Sequence, residues 1–206
     1  MTSKHRIAPI VLTFLVSFTA HADDTTSSNW YIGGALGNAS TQADNSTFSQ
    51  SESAGTISVY GGYEFTESFS IEVAAINTGD VANDRSGLED ASFFALTFTP
   101  KFNFSVSNKA SLYAKAGISL LSYYEEYDAP IAGVRDDEIF WADIVPTVGI
   151  GVQYDIKEML AIRLSYDYMS GDLDDIDDEN DSAGGNTVQN IDAELSIVTI
   201  GLQYQF

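Results

Sequence analysis

The segment from Val198 to Phe206 constrains this chain most. Val198, Ile200, Leu202, Tyr204 and Phe206 alternate there with Thr199, Gly201, Gln203 and Gln205. A period of two is the signature of a β-strand with one apolar and one polar face, and it is incompatible with a helix. The apolar face carries Tyr and Phe up to the last residue, a poor surface to show to water. Soluble sheets also contain such alternation, so the rest of the chain decides what that face meets.

The other end narrows the setting. Lys4 and Arg6 precede a short apolar run from Ile7 to Thr19, and Ala20-His21-Ala22 is a small-x-small site. Together they read as a secretory signal, residues 1 to 22, with the mature chain beginning at Asp23. The run is too short to span a bilayer as a helix, and no later segment approaches eighteen continuous apolar residues. A mature chain embedded in a membrane would then have to be a closed barrel, because hydrocarbon offers no partner to an unpaired backbone N–H or C=O.

Charge and composition remove several functions. Residues 23 to 206 hold all 30 acidic residues and seven basic ones, a formal charge of −23. Such a surface repels nucleic acid. There is no cysteine, so an exported protein of this kind is held by its sheet and not by disulfides. The histidines are His5 and His21, both inside the signal. The mature chain therefore has no group that titrates near neutral pH without strong perturbation, and it is read as no enzyme and as needing no cofactor.

Eight alternating segments can be traced, at about 30–38, 56–65, 69–77, 92–106, 110–123, 140–154, 159–169 and 191–206. The connections alternate too. Tight turns fall at Thr66-Glu67-Ser68, Ser107-Asn108-Lys109 and Asp155 to Glu158, against long polar stretches near 39–55, 78–91, 124–139 and 170–190. This predicts an all-β chain forming an eight-stranded antiparallel up-and-down transmembrane β-barrel over residues 23–206, with both termini in the periplasm. A soluble eight-stranded barrel shares the strand count but would place its apolar residues inside.

Single strands favour apolar residues outside. Leu160, Ile162, Leu164, Tyr166 and Tyr168 alternate with Ala161, Arg163, Ser165 and Asp167, so small and charged residues face the other way. Eight strands enclose a lumen only wide enough for side chains to interlock, which such residues suit. Pro100 and Pro146 fall on the lipid-facing parity inside predicted strands. Each removes a ladder donor, and a bulge or local distortion is expected at both.

These residues carry a resemblance. Trp30-Tyr31-Ile32-Gly33-Gly34-Ala35-Leu36-Gly37 resembles the first strand of the OmpA-type transmembrane domain. Pro146 to Tyr154 and Arg163 to Tyr168 resemble its sixth and seventh strands, and Gly201, Tyr204 and Phe206 resemble the signal read by the barrel-assembly machinery. The likeness to the OmpA and OmpX superfamily covers essentially the whole mature chain, and implies an outer-membrane location without the peptidoglycan-binding domain of full-length OmpA-type proteins. It also implies a lumenal charge cluster at Glu72, Lys101, Lys115 and Arg163. The family's second lumenal carboxylate is replaced by Gln153, so the cluster has a positive excess unless Glu64 substitutes. Strand-centre charges on the non-lipid parity require such partners on physical grounds as well.

The predicted loops hold most of the negative charge. Asp172, Asp174, Asp175, Asp177 and Asp178 crowd the fourth. Oxygen ligands at this density suit Ca²⁺ or Mg²⁺, but a twelve-residue calcium loop starting at Asp177 would need Gly at Ser182 and Glu at Val188. A solvated acidic surface, bridged by divalent cations to lipopolysaccharide phosphates, is the plainer reading. The expected partners are outer-membrane lipids and lipopolysaccharide, the assembly machinery, divalent cations or a host surface, with the barrel a monomer. The expected role is structural and surface-interacting, in membrane integrity, adhesion or cation contact. Two alternatives remain: a narrow OmpW-like channel for small solutes or hydrophobic molecules, and a soluble exported barrel holding a small ligand.

Overall fold

The computed structural model describes residues 29–44, 49–79, 88–127, 138–175 and 191–206. They form eight strands: β1 (Trp30–Asp44), β2 (Ser49–Thr66), β3 (Phe69–Thr78), β4 (Leu88–Ser105), β5 (Ala110–Tyr127), β6 (Glu138–Lys157), β7 (Leu160–Asp175) and β8 (Ile191–Gln205). Each pairs antiparallel with its neighbours in the chain, and β1 pairs with β8 to close the barrel. No edge is left open, the condition for crossing hydrocarbon with strands.

The stagger follows from the register. Asn29 bonds to Glu64, and neighbours then run through Ser70, Lys101, Lys115, Gly149, Asp167 and Ile197 to Ala39, ten residues up the strand where the circuit began. Such shear requires strands strongly tilted to the barrel axis. The short connections β2–β3, β4–β5 and β6–β7 lie at the end that holds Trp30 and Gln205, as the alternation predicts.

Lipid-facing parity is clear in the lower wall. Leu36, Ile57, Phe98, Ile118, Val148, Ile150, Leu164, Ile200 and Leu202 are exposed on the outside. Near the turns, rings meet in succession across four strands: Trp30 on Tyr63, Tyr63 on Phe65, Phe65 on Phe69 and Phe69 on Phe102. A belt of this kind, about 25 Å tall above an aromatic girdle, is what a bilayer selects.

The strands are longer than the alternation suggests, and the reason lies inside. The predicted loops near 39–55, 78–91, 124–139 and 170–190 begin later than expected, because paired backbone continues above the apolar belt. There the polarity of the wall reverses. Outside, Asn38, Ser40, Asn77, Asp172, Asp192 and Glu194 replace the apolar residues. Inside, Phe93, Leu121, Tyr123, Trp141, Val145, Met169, Leu173, Leu195 and Ile197 are buried together. The expectation of a lumen lined throughout by small and charged residues is therefore corrected: it holds for the lower wall, whereas the upper wall encloses a core like that of a water-soluble barrel.

The prolines distort the ladder without shifting its register. Opposite Pro100, the β4–β5 pairing skips from Phe98↔Ile118 to Lys101↔Lys115. Next to Pro146, the β6–β7 pairing skips from Ala142↔Asp174 to Thr147↔Met169, a longer break. Neither site is a bulge; the register shifts occur at the strand ends instead. A missing N–H removes a bond but inserts no residue.

Candidate functional site

Four inward residues named from the sequence converge in the lower lumen. Glu72 on β3 is the hub. Arg163 on β7 approaches it with both terminal nitrogens, Nη1 at 2.7 Å from Oε2 and Nη2 at 3.3 Å from Oε1. Lys115 on β5 places Nζ 3.1 Å from Oε1, and Lys101 on β4 lies 3.7 Å from Oε2. All four side chains are buried. The bidentate guanidinium contact is the strong element here, since planar fork and carboxylate match in geometry as well as charge.

The second carboxylate is Asp167 on β7, which sequence reasoning placed on the inward face without assigning it to the cluster. Its Oδ1 lies 2.9 Å from Lys115 Nζ. Glu64, expected as the substitute, is not within ion-pair distance of Lys101, Lys115 or Arg163. Tilt explains the difference. Asp167 and Lys115 both adjoin Gly149, from opposite sides of β6, so each is two strands from the other at one register level. Gly149 has no side chain to separate them; a Cβ built there would overlap the Asp167 carboxylate and crowd Lys115.

Three tyrosines, also missed, complete the surroundings. Tyr31 donates its hydroxyl to Glu72 Oε2 at 3.0 Å, and Tyr60 donates to the Leu202 carbonyl at 3.2 Å. Tyr113 shares a short hydrogen bond with Ser165. Lys101 Nζ sits 4.4 Å from the centre of the Tyr31 ring, and the Arg163 guanidinium 4.2 Å from that of Tyr60. Ring faces carry negative potential, so they stabilise cations that exceed the carboxylates in number. Each tyrosine is paired in register with a glycine: Tyr31 with Gly62, Tyr60 with Gly33, Tyr113 with Gly151. A Cβ at any of these glycines would collide with the ring. The Tyr–Gly spacing was the available signal.

The remaining sites separate by position. Gly201 packs so closely on β1 that a Cβ would come 2.5 Å from the Gly34 carbonyl oxygen. Tyr204 is exposed on the lipid face, its ring 5.2 Å from that of Phe206, whose N–H donates to the Trp30 carbonyl at 3.0 Å. Asp172, Asp174 and Asp175, expected in a loop, lie on β7, with Asp172 exposed and paired in register with Asp192. Asp177 and Asp178 lie outside the described residues, as do residues 1–28 with the predicted signal and cleavage site. Among the described residues, no group of three or more His, Cys, Asp or Glu is arranged to hold a metal ion.

Comparisons with known proteins agree with this architecture. No curated protein matches the sequence significantly. Among solved structures, Neisserial surface protein A superimposes with a TM-score of 0.63 at 15% identity, over 88% of this chain and 100% of that one. Ail, the attachment invasion locus protein of Yersinia pestis, gives 0.54 at 15% identity over 88% and 100%. OprG of Pseudomonas aeruginosa gives 0.54 at 15% identity over 87% and 97%. At these identities the likeness establishes the fold alone. The family model described as the outer membrane protein beta-barrel domain matches residues 10–206. The chain accordingly belongs to the outer-membrane β-barrel family, as an eight-stranded barrel resident in the bacterial outer membrane.

Proposed function

We propose that this barrel is a structural and surface-interacting protein whose lumen is closed to solutes and whose extracellular end presents acidic surface to lipopolysaccharide phosphates through divalent cations, or to a host surface. The observation that carries the reading is the stacking of two different fillings in one lumen. A buried ion cluster lies below, and a packed apolar layer lies above it. An ion crossing this path would have to break bonded charge pairs and then enter a hydrocarbon-like core, each costing several kcal/mol. Between the two lies a cavity of about 20 Å³ lined by Tyr60, Glu72, Lys115, Arg163 and Asp167, among others. That is room for about one water molecule and no more.

The upper wall supports the surface role. It raises polar, acid-rich strands above the belt on a rigid internal core, so the loops spring from a stiff collar. Two structural neighbours carry surface or attachment terms in their names, Neisserial surface protein A and the attachment invasion locus protein, which is consistent with such a role.

Planar-bilayer recording of the refolded barrel tests the reading. Silence, or only brief small events, is expected. Large steady conductance would hand the protein to the narrow-channel alternative.

A further inference from the structure

We infer that the outer face of β7, β8 and β1 docks lipids whose acyl chains are shorter than those of the surrounding bilayer, with one chain seated in a groove at Gly34. The lipid-facing belt is a wedge, and this face is its thin edge.

The upper edge of the belt is uneven. On β4, β5 and β6 the outward side chains stay apolar up to Phe94, Leu120 and Ile144, which lie eleven, ten and thirteen residues above the periplasmic ends of their strands. On β8, β1 and β7 the last such residues are Val198, Leu36 and Tyr168, only seven, six and eight residues above those ends. Ser196, Asn38 and Ser170 follow them on the outward face. A tilted strand climbs roughly 2.4 Å per residue along the barrel axis, so the belt stops lower on this side by roughly 7–10 Å.

The lower edge is level. Trp30, Phe65, Phe102, Leu112, Tyr154 and Tyr204 are all exposed within three residues of their strand ends. Tilting the barrel lowers one side of such a belt and raises the other, but it leaves the difference in height untouched. The bilayer has to adapt instead. Hydroxyl and amide groups held at the level of long acyl chains would lose their hydrogen-bond partners, whereas shorter chains bring headgroups down to meet them.

The same face has a place for a chain. Gly34 points outward between its register partners Val59 on β2 and Leu202 on β8. Leu36 and Ile200 stand beside it, 62% and 61% exposed. Together they border a groove of about 490 Å³ below Asn38 and Ser196. A Cβ built on Gly34 would meet the Ser58 carbonyl oxygen at 3.7 Å and nothing nearer, so the floor is open.

Charge decides between a lipid and a second copy of the chain. Asp172, Asp192 and Glu194 are exposed on this face above the groove. Two copies packed here would bring these carboxylates against one another, whereas a zwitterionic headgroup meets no such repulsion.

Tryptophan quenching by brominated lipid measures the preference. Two reporters at mid-belt, Leu164→Trp on the thin face and Phe98→Trp on the thick one, are placed separately in a Trp30→Phe background, with the buried Trp141 a constant in both. The full barrel is refolded into vesicles mixing phosphatidylcholine with dibrominated chains of 14 carbons and dioleoylphosphatidylcholine, and each signal is normalised to that in the pure brominated lipid. The relative binding constant for the short lipid should be about twofold or more higher at Leu164→Trp than at Phe98→Trp. Moving the bromine to the 18-carbon lipid should reverse the order. Gly34→Leu, which fills the groove, should reduce the excess, and Asn38→Leu with Ser170→Leu and Ser196→Leu, which raises the belt, should abolish it. Equal constants on the two faces, a preference for the short lipid on the thick face, or an excess that survives either set of substitutions would overturn the proposal. The lumen takes no part in this readout, so the result is independent of the conductance test.

Discussion

Lys101 and Lys115 are direct register partners on β4 and β5, two like charges facing the same buried space, and both reach the single carboxylate of Glu72. Facing lysines repel one another across a sheet. Their tolerance depends on the carboxylate lying between them, on Asp167 beyond Lys115 and on the tyrosine rings around Lys101.

Glu72→Ala should therefore leave three buried cations with one carboxylate. A loss of about 3–5 kcal/mol is expected, the usual consequence of breaking a buried pair from one side. Asp178→Ala, in the acidic stretch beyond β7, should change stability by less than about 0.5 kcal/mol. Urea unfolding in lipid vesicles measures both, and equal tolerance of the two would contradict the role given to Glu72.

Ile197 and Val198 are adjacent apolar residues on β8 with opposite surroundings, 1% and 50% exposed. Ile197→Ala should cost about 2–5 kcal/mol by leaving a cavity in the upper core. Val198→Ala faces lipid, which fills the vacated space, and should cost clearly less. The same unfolding assay compares them. A reversed order would show that the upper layer is not a packed core.

Gly151→Val should disrupt the lower lumen, because the new side chain would occupy the space of the Tyr113 ring. Overpacking of this kind costs about 1–3 kcal/mol when neighbours can yield. Here the ring also bonds Ser165 and stacks on Arg163, so a value at or above the upper end is expected. Gly55→Val, where a Cβ meets nothing within 4 Å, is the control.

Tyr204→Ser combined with Phe206→Ser should lower the yield of barrel in the outer membrane more than it lowers the unfolding free energy of the refolded protein. Both belong to the terminal signal inferred from the sequence, and Tyr204 is exposed to lipid. Heat-modifiable gel mobility of membrane fractions gives the yield. Normal yield from the double variant would remove these residues from the assembly signal.

Strand number, turn positions and the facing of the lower wall were legible because each depends on a local property. Alternation states which residues share a face, and Glu67-Ser68 or Ser107-Asn108 mark where a strand must turn. The inversion of the upper wall was legible too, in apolar doublets where the greasy face changes sides: Phe93-Phe94, Leu120-Leu121, Ile144-Val145, Tyr168-Met169 and Ile197-Val198. Reading each strand with one fixed parity concealed them, and assigned to loops residues such as Asp172 that continue the ladder.

Periodicity could not decide which inward residues meet. The sequence by itself determined that Glu72, Lys101, Lys115, Arg163 and Asp167 point into a narrow space, because parity is a property of one strand. Only the closed barrel decided that Asp167 and not Glu64 reaches Lys115, because that depends on a ten-residue stagger accumulated around eight joints. The stagger is a property of closure, and no single strand carries it.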